Sequence, residues 1–234
     1  MIARSRFGLA TLLLWAMAAG PAAASTADPG TSPAHALAVK PVSAPAVAPP
    51  AGLVTIFSNI GGKYPNSLFF CCDGFSVQGK DNVYSDRMLW RAEAFTPGAN
   101  HVVKRIELGL GVNNGSNTVV IGLYNDVAGV PGSALKTWHV QNVPQEFTCC
   151  TLVSVRSKAG IAVTGGQQYW VVVKTDDSDS DGVFGWLYNT TDQLETVPSA
   201  VYCSDDVHGS CGVNDAWVSN GAIVPALAFG VFGN

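Results

Sequence analysis

The sequence has no basic run. Its 13 lysines and arginines are spread among 17 aspartates and glutamates, so the chain lacks the electrostatic footprint of a nucleic-acid or anionic-lipid binder. Beyond the N-terminal segment, no apolar stretch reaches the roughly 20 residues that a membrane-spanning helix needs, because glycine or charge interrupts each one. No Cys-x-x-Cys pair offers a zinc site, no His-Glu-x-x-His a metalloprotease centre, and no Gly-x-Ser-x-Gly a nucleophile elbow. Glutamate is scarce: Glu93, Glu107, Glu146 and Glu195 are all there are, thin material for the opposed carboxylates of a glycosidase. Glu93 and Glu107 fall on strand-like runs, where a solvent-facing position explains them as well as a groove does. No repeat of fixed period and no long amphipathic helix is visible.

What the sequence does have begins with an export signal. Arg4 and Arg6 precede the apolar "FGLATLLLWAMAA", and "AAAS" supplies small residues for cleavage after Ala24. There is no Arg-Arg pair and no cysteine near that point, so general secretion of an unfolded chain to the periplasm or the exterior is expected. Residues 25–52 are rich in Pro and Ala without apolar periodicity, as in a semi-extended linker. Residues 53–234 are expected to form a single domain, large enough for one sizeable core.

Six cysteines fall in that domain: Cys71, Cys72, Cys149, Cys150, Cys203 and Cys211. An even count behind an export signal reads as a disulfide framework. Cys203 with Cys211 suits a local clip, and cross-pairing of the doublet Cys71/Cys72 with Cys149/Cys150 is the preferred arrangement. Around them the chain is a string of short β-prone runs separated by Gly- and Asn-containing turns such as "NNGSN", "DVAGVPGS", "KAG" and "TGG". In "KRIELGLGV", Ile106, Leu108, Leu110 and Val112 alternate with Arg105, Glu107 and two glycines, the period of a half-buried strand. About a dozen such runs imply an all-β, two-sheet antiparallel sandwich of jelly-roll-like type. The final "ALAFGVFG" reads as a core strand that closes it.

The segments "CCDGFSVQG", "AEAFTPGANHVVKRIELGL", "VVIGLYNDVAGVPGSALKTWHV", "FTCCTLVSV" and "GQQYWVVV" together resemble secreted bacterial proteins of the choice-of-anchor kind, over nearly all of residues 53–234. That resemblance implies an exported β-sandwich of no established activity and supplies no catalytic residues. The sequence departs from anchored members by ending at "FGVFGN", without a sorting motif or a hydrophobic tail, which points to release or periplasmic residence.

Two features carry candidate chemistry. In "VVVKTDDSDSDGVFGW", Asp177, Asp179, Asp181 and Gly182 spell the first half of a calcium loop, with Val183 placed to offer its carbonyl. Further oxygens would have to come from Asp126, Asp192, Asp205 or Asp206; the competing reading is a solvated acidic hairpin tip. Among the tryptophans, Trp138, Trp186 and Trp217 adjoin polar loops and are candidates to stack on sugar rings, whereas Trp170 lies in an unbroken apolar strand and belongs to a core. "DDVHGSCG" places Asp206, His208 and Ser210 too close in sequence to aim at one another, so a clipped surface loop is expected there. The resulting expectation is a secreted, non-enzymatic extracellular or envelope module that binds carbohydrate, with a weak structural calcium site. The rivals are a purely structural envelope or matrix protein and a secreted hydrolase whose site the sequence does not display.

Overall fold

The computed structural model describes residues 48–61, 68–70, 73–85, 87–146, 151–178, 180–191, 197–204, 216–221 and 226–234. The expected export signal, most of the linker, Asp179, Asp192, Glu195, the 205–211 loop and every cysteine except Cys203 lie outside the described residues. These comprise thirteen strands and no helix. One sheet has the order β1 (Val54–Ser58), β13 (Phe229–Gly233), β4 (His101–Leu108), β8 (Val153–Val163). The other runs β5 (Leu110–Asn114), β10 (Val183–Leu187), β2 (Gly74–Gln78), β3 (Met88–Phe95), β9 (Tyr169–Thr175), β6 (Thr118–Val127), β7 (Val130–Gln141). Two further strands extend it, β11 (Ser199–Ser204) beside β3 and β12 (Ala216–Gly221) beside β11. All the strand pairs are antiparallel.

The two sheets share one core because alternate side chains of each turn inward. Ile106, Leu108, Val153, Val155, Phe229 and Val231 come from the smaller sheet; Leu123, Val171, Val173, Phe184 and Trp186 come from the larger. The expected core strand at the end of the sequence is β13, which lies between β1 and β4 with every residue buried. The run "KRIELGLGV" keeps its predicted parity, but it is two strands. The chain leaves the smaller sheet after Leu108 and joins the larger at Leu110, so one alternating pattern feeds the core from both layers. Gly109 makes this passage: a Cβ there would stand 2.8 Å from the Phe69 ring.

"KAG", read above as a turn between strands, instead lies within β8. Register jumps from Arg105↔Arg156 to Val103↔Ile161, so residues 157–160 bulge out opposite Lys104. Gly160 takes φ +80°, and Lys104 Nζ donates to the carbonyls of Lys158 and Ala159 at 3.3 and 3.2 Å.

A second cluster occupies the opposite face of the larger sheet, where Ala92, Ala94, Trp170, Val172 and Ala200 pack with Tyr124 and Trp217. β12 curls back toward β7 over this face. Trp170 is thus in a core, as expected, but in this outer one, with its indole N–H bonded to Asp126 Oδ1 at 2.7 Å.

Candidate functional site

The aspartate loop joins β9 to β10, which are not neighbours in the sheet, so it is not a hairpin tip. Its carbonyls are taken by the turn after β2: Lys80 N–H donates to Ser178, Asp81 N–H to Ser180 and Gly79 N–H to Gly182, at 2.8, 3.2 and 3.1 Å. Asp181 accepts from the Ser116 Oγ–H and N–H at 2.5 and 2.9 Å, and these bonds hold its carboxyl below the usual range. Asp176 is paired with His139 Nδ1 at 2.6 Å, and Asp177 accepts from Ser178 Oγ–H at 3.2 Å. Val183 is a buried strand residue in register with Gln78 and Asn114. Asp126 is occupied by Trp170 and Gln168. Among the described residues, no group of three or more His, Cys, Asp or Glu is placed to hold a metal ion. Of the residues read as a calcium loop, Asp177 and Asp181 accept from separate local donors and Val183 is held in the sheet. Asp179 lies outside the described residues.

The tryptophan reading also changes. Trp186 is fully buried, edge-on to Phe229, with its N–H on the Ala228 carbonyl at 3.0 Å; it presents no ring face to a ligand. Trp138 packs on the main core and donates to the Arg156 carbonyl at 2.9 Å, tying β7 to β8. Trp217 does stand in an aromatic row, but with partners that sequence reasoning passed over. Tyr202 is in register with Trp217 on one side and Trp90 on the other. Tyr202 stacks on Trp90 at 4.6 Å and meets Trp217 edge-to-face at 5.6 Å, while Lys174 Nζ stands 4.9 Å from the Trp90 ring centre. These rings, each half-buried, pack against one another and a lysine.

The arrangement best suited to a ligand lies at the other end of the larger sheet, on β5, β10 and β2. Their inward side chains, Leu110, Val112, Phe184, Trp186 and Val77, fill the main core. Outward, Gly111 and Gly185 stand directly opposite each other. Onto this bare patch folds the segment after β7: Val112 N–H donates to Pro144 O, and Glu146 N–H to Val112 O, at 2.8 and 2.7 Å. The Glu146 carboxylate then lies over Gly185, where a Cβ would stand 2.5 Å from Oε1. Asn113 Nδ2 donates to Glu146 Oε2 at 2.6 Å, and Tyr84 O–H donates to Asn113 Oδ1 at 2.8 Å.

Tyr84 is held at the rim by a loop built around buried Asn82. The Asn82 amide donates to the carbonyls of Gly79 and Ser85, and its Oδ1 accepts from the N–H groups of Tyr84 and Ser85, at 2.9 Å each. Tyr84 remains 63% exposed. Together these residues border a cleft of about 370 Å³ walled by Ser76 and Gln78. Carboxylate, carboxamide and phenol in one open cleft can exchange hydrogen bonds with a polyol while an aromatic flank covers its C–H face.

The remaining described glutamates are elsewhere. Glu93 points into the interior of the molecule, 1% exposed, and among the described residues neither carboxylate oxygen makes a hydrogen bond of good geometry, the Leu227 N–H lying near but poorly aligned. Burial pushes its pKa well up, against the lowering effects of the Leu227 backbone N–H and the Arg91 charge. Glu107 is also buried and paired with Arg105. Both sit on strands, as the sequence suggested, and neither is exposed to solvent. No family model matches the chain, and no curated protein matches it.

Proposed function

We propose that this protein is an exported, non-catalytic β-sandwich module that holds an extracellular or envelope carbohydrate in the cleft over Gly185. The observation that carries this reading is the in-register pair Gly111 and Gly185, whose missing side chains let Glu146 lie on the sheet beside Asn113 and the exposed Tyr84. Strand positions facing solvent ordinarily carry side chains; bare ones mark the close approach of another group. The export signal, a jelly-roll-like winding and kinship with the choice-of-anchor proteins belong to the same proposal. So does disulfide bracing, which is supported by Cys203 being disulfide-bonded.

A glycan array probed with the purified protein tests the reading. Retention of neutral or weakly charged glycans is expected, with at least a tenfold loss in Glu146→Ala and Tyr84→Ala variants of unchanged melting temperature. An array on which the wild-type protein retains no glycan would sink it.

A further inference from the structure

The absence of a basic run in the sequence hides a basic cleft in the fold. Lys104 and Arg105 of β4 meet Arg156 and Lys158 of β8 along the outer face of the smaller sheet, where they line a cleft of about 590 Å³ together with Pro50 and Leu53. Arg105 and Arg156 are directly opposed across the two strands. Like charges in that position repel, in a chain whose formal net charge is −4. Compensation inside the protein is partial. Glu107 pairs with Arg105, yet Arg105 Nε is buried without a hydrogen-bond partner among the described residues, and the Lys104 ammonium meets neutral carbonyls of the 157–160 bulge. Among the described residues that line the cleft there are four cations and no aspartate or glutamate.

We infer that this cleft binds an acidic polysaccharide, through carboxylate or sulfate groups gripped between Arg105, Arg156 and Lys158. Guanidinium pairs suit such oxyanions because their N–H forks match two oxygens at once. The cleft is open and far larger than a single oxyanion, and it offers apolar wall at Pro50 and Leu53, which suits a sugar ring better than a bare ion. A duplex nucleic acid fits poorly: it carries a charge about every 1.7 Å of axis and would extend past these few cations over an acidic molecule. Among the described residues, no aromatic side chain lines the cleft to stack on bases. This site is separate from the Glu146 cleft, on a different sheet, and does not depend on it.

The test measures binding of the full-length protein to polygalacturonate, heparin, neutral dextran and duplex DNA at about 50 mM salt and again at about 500 mM, where surface charge is largely screened. Polygalacturonate or heparin should bind at low salt and be released at high salt. Binding should fall at least tenfold in Arg156→Ala/Lys158→Ala and stay unchanged in Lys136→Ala, an exposed cation on β7 outside the cleft. Arg156→Glu should abolish polyanion binding without lowering the melting temperature, since a carboxylate then faces Arg105; a merely structural Arg156 would give the opposite pairing of results. Failure of the wild-type protein to bind either acidic polysaccharide overturns the inference, as does full binding by the double variant. DNA bound as tightly as the polysaccharides would overturn the assigned ligand class.

Discussion

Gly111 and Gly185 face each other across β5 and β10, yet adding a methyl group to each should have different consequences. At Gly185 the new carbon would meet the Glu146 carboxylate at 2.5 Å, the far end of a flexible side chain; at Gly111 it would meet the Glu146 Cα at 2.7 Å and its N at 2.9 Å, which are backbone. Gly185→Ala is therefore expected to swing the carboxylate away, keep stability within about 1 kcal/mol and abolish glycan retention. Gly111→Ala must move backbone and should cost about 1–3 kcal/mol. Denaturant melts alongside binding titrations distinguish the two, and equal stability losses would contradict the geometry. Glu93 makes a second residue-scale prediction. Its folded pKa is raised by burial, so the folded state keeps a proton that the unfolded chain releases. The favourable contribution is complete below the unfolded carboxylate range near pH 4 and is lost as pH rises through the folded value. Glu93→Gln, always neutral, should melt above wild type at pH 8, with the difference closing toward pH 4. Parallel melting curves across that range would show that the carboxyl is not held neutral.

At the scale of elements, β13 concentrates the core. Phe229 stacks on Phe57 at 4.7 Å and meets Trp186 edge-on at 6.2 Å, and its strand is hydrogen-bonded on both sides. Phe229→Ala should cost about 3–5 kcal/mol, readable in a urea melt; a loss under 1 kcal/mol would mean that the end of the chain is not part of the core. This strand was legible in the sequence because an apolar run bounded by turn residues has few other fates. The alternation from Arg105 to Val112 was legible for the same reason. Its division between two sheets was not: parity records which side chains face the core, and both layers face the same one. The bulge at residues 157–160 was hidden because "KAG" carries the same glycine signal whether the chain turns or only swells. The candidate sites were least visible. Glu146 follows "QNVPQ", which has no strand period, and its partners are supplied by glycines that read as weak strand positions. Trp90 and Tyr202 sit 112 positions apart, and only the β3–β11 register joins them. The basic cleft likewise draws its cations from two strands, 51 positions apart between Arg105 and Arg156, so no window along the chain contains it.

For the molecule as a whole, a small satellite cluster beside the main core ties one flank of the sandwich. Phe69 is buried with Leu187 and Ala228, and Leu68 and Leu152 pack against the same group. Phe69 stands two residues before Cys71, and Leu152 two residues after Cys150; two residues of chain span at most about 7 Å. The packing thus gathers Phe69 and Leu152, described neighbours of the two doublets in sequence, into one cluster, and a bridge between the doublets, whose Cα atoms need about 5.5 Å, is the pairing to test. A bond between the doublets would close a loop of roughly eighty residues and contribute about 4–5 kcal/mol in the chain-entropy account, or about 10 °C or more in melting temperature for a domain of this size. Peptide mapping without reduction should recover a fragment that joins Cys71 or Cys72 to Cys149 or Cys150, and a reductant should lower the midpoint by that amount. Alkylation of free thiols in both doublets of natively isolated protein, or a bridge between the adjacent residues Cys71 and Cys72, would break the proposal. In that case the hydrophobic cluster of Phe69, Leu187 and Ala228 would have to hold this flank alone.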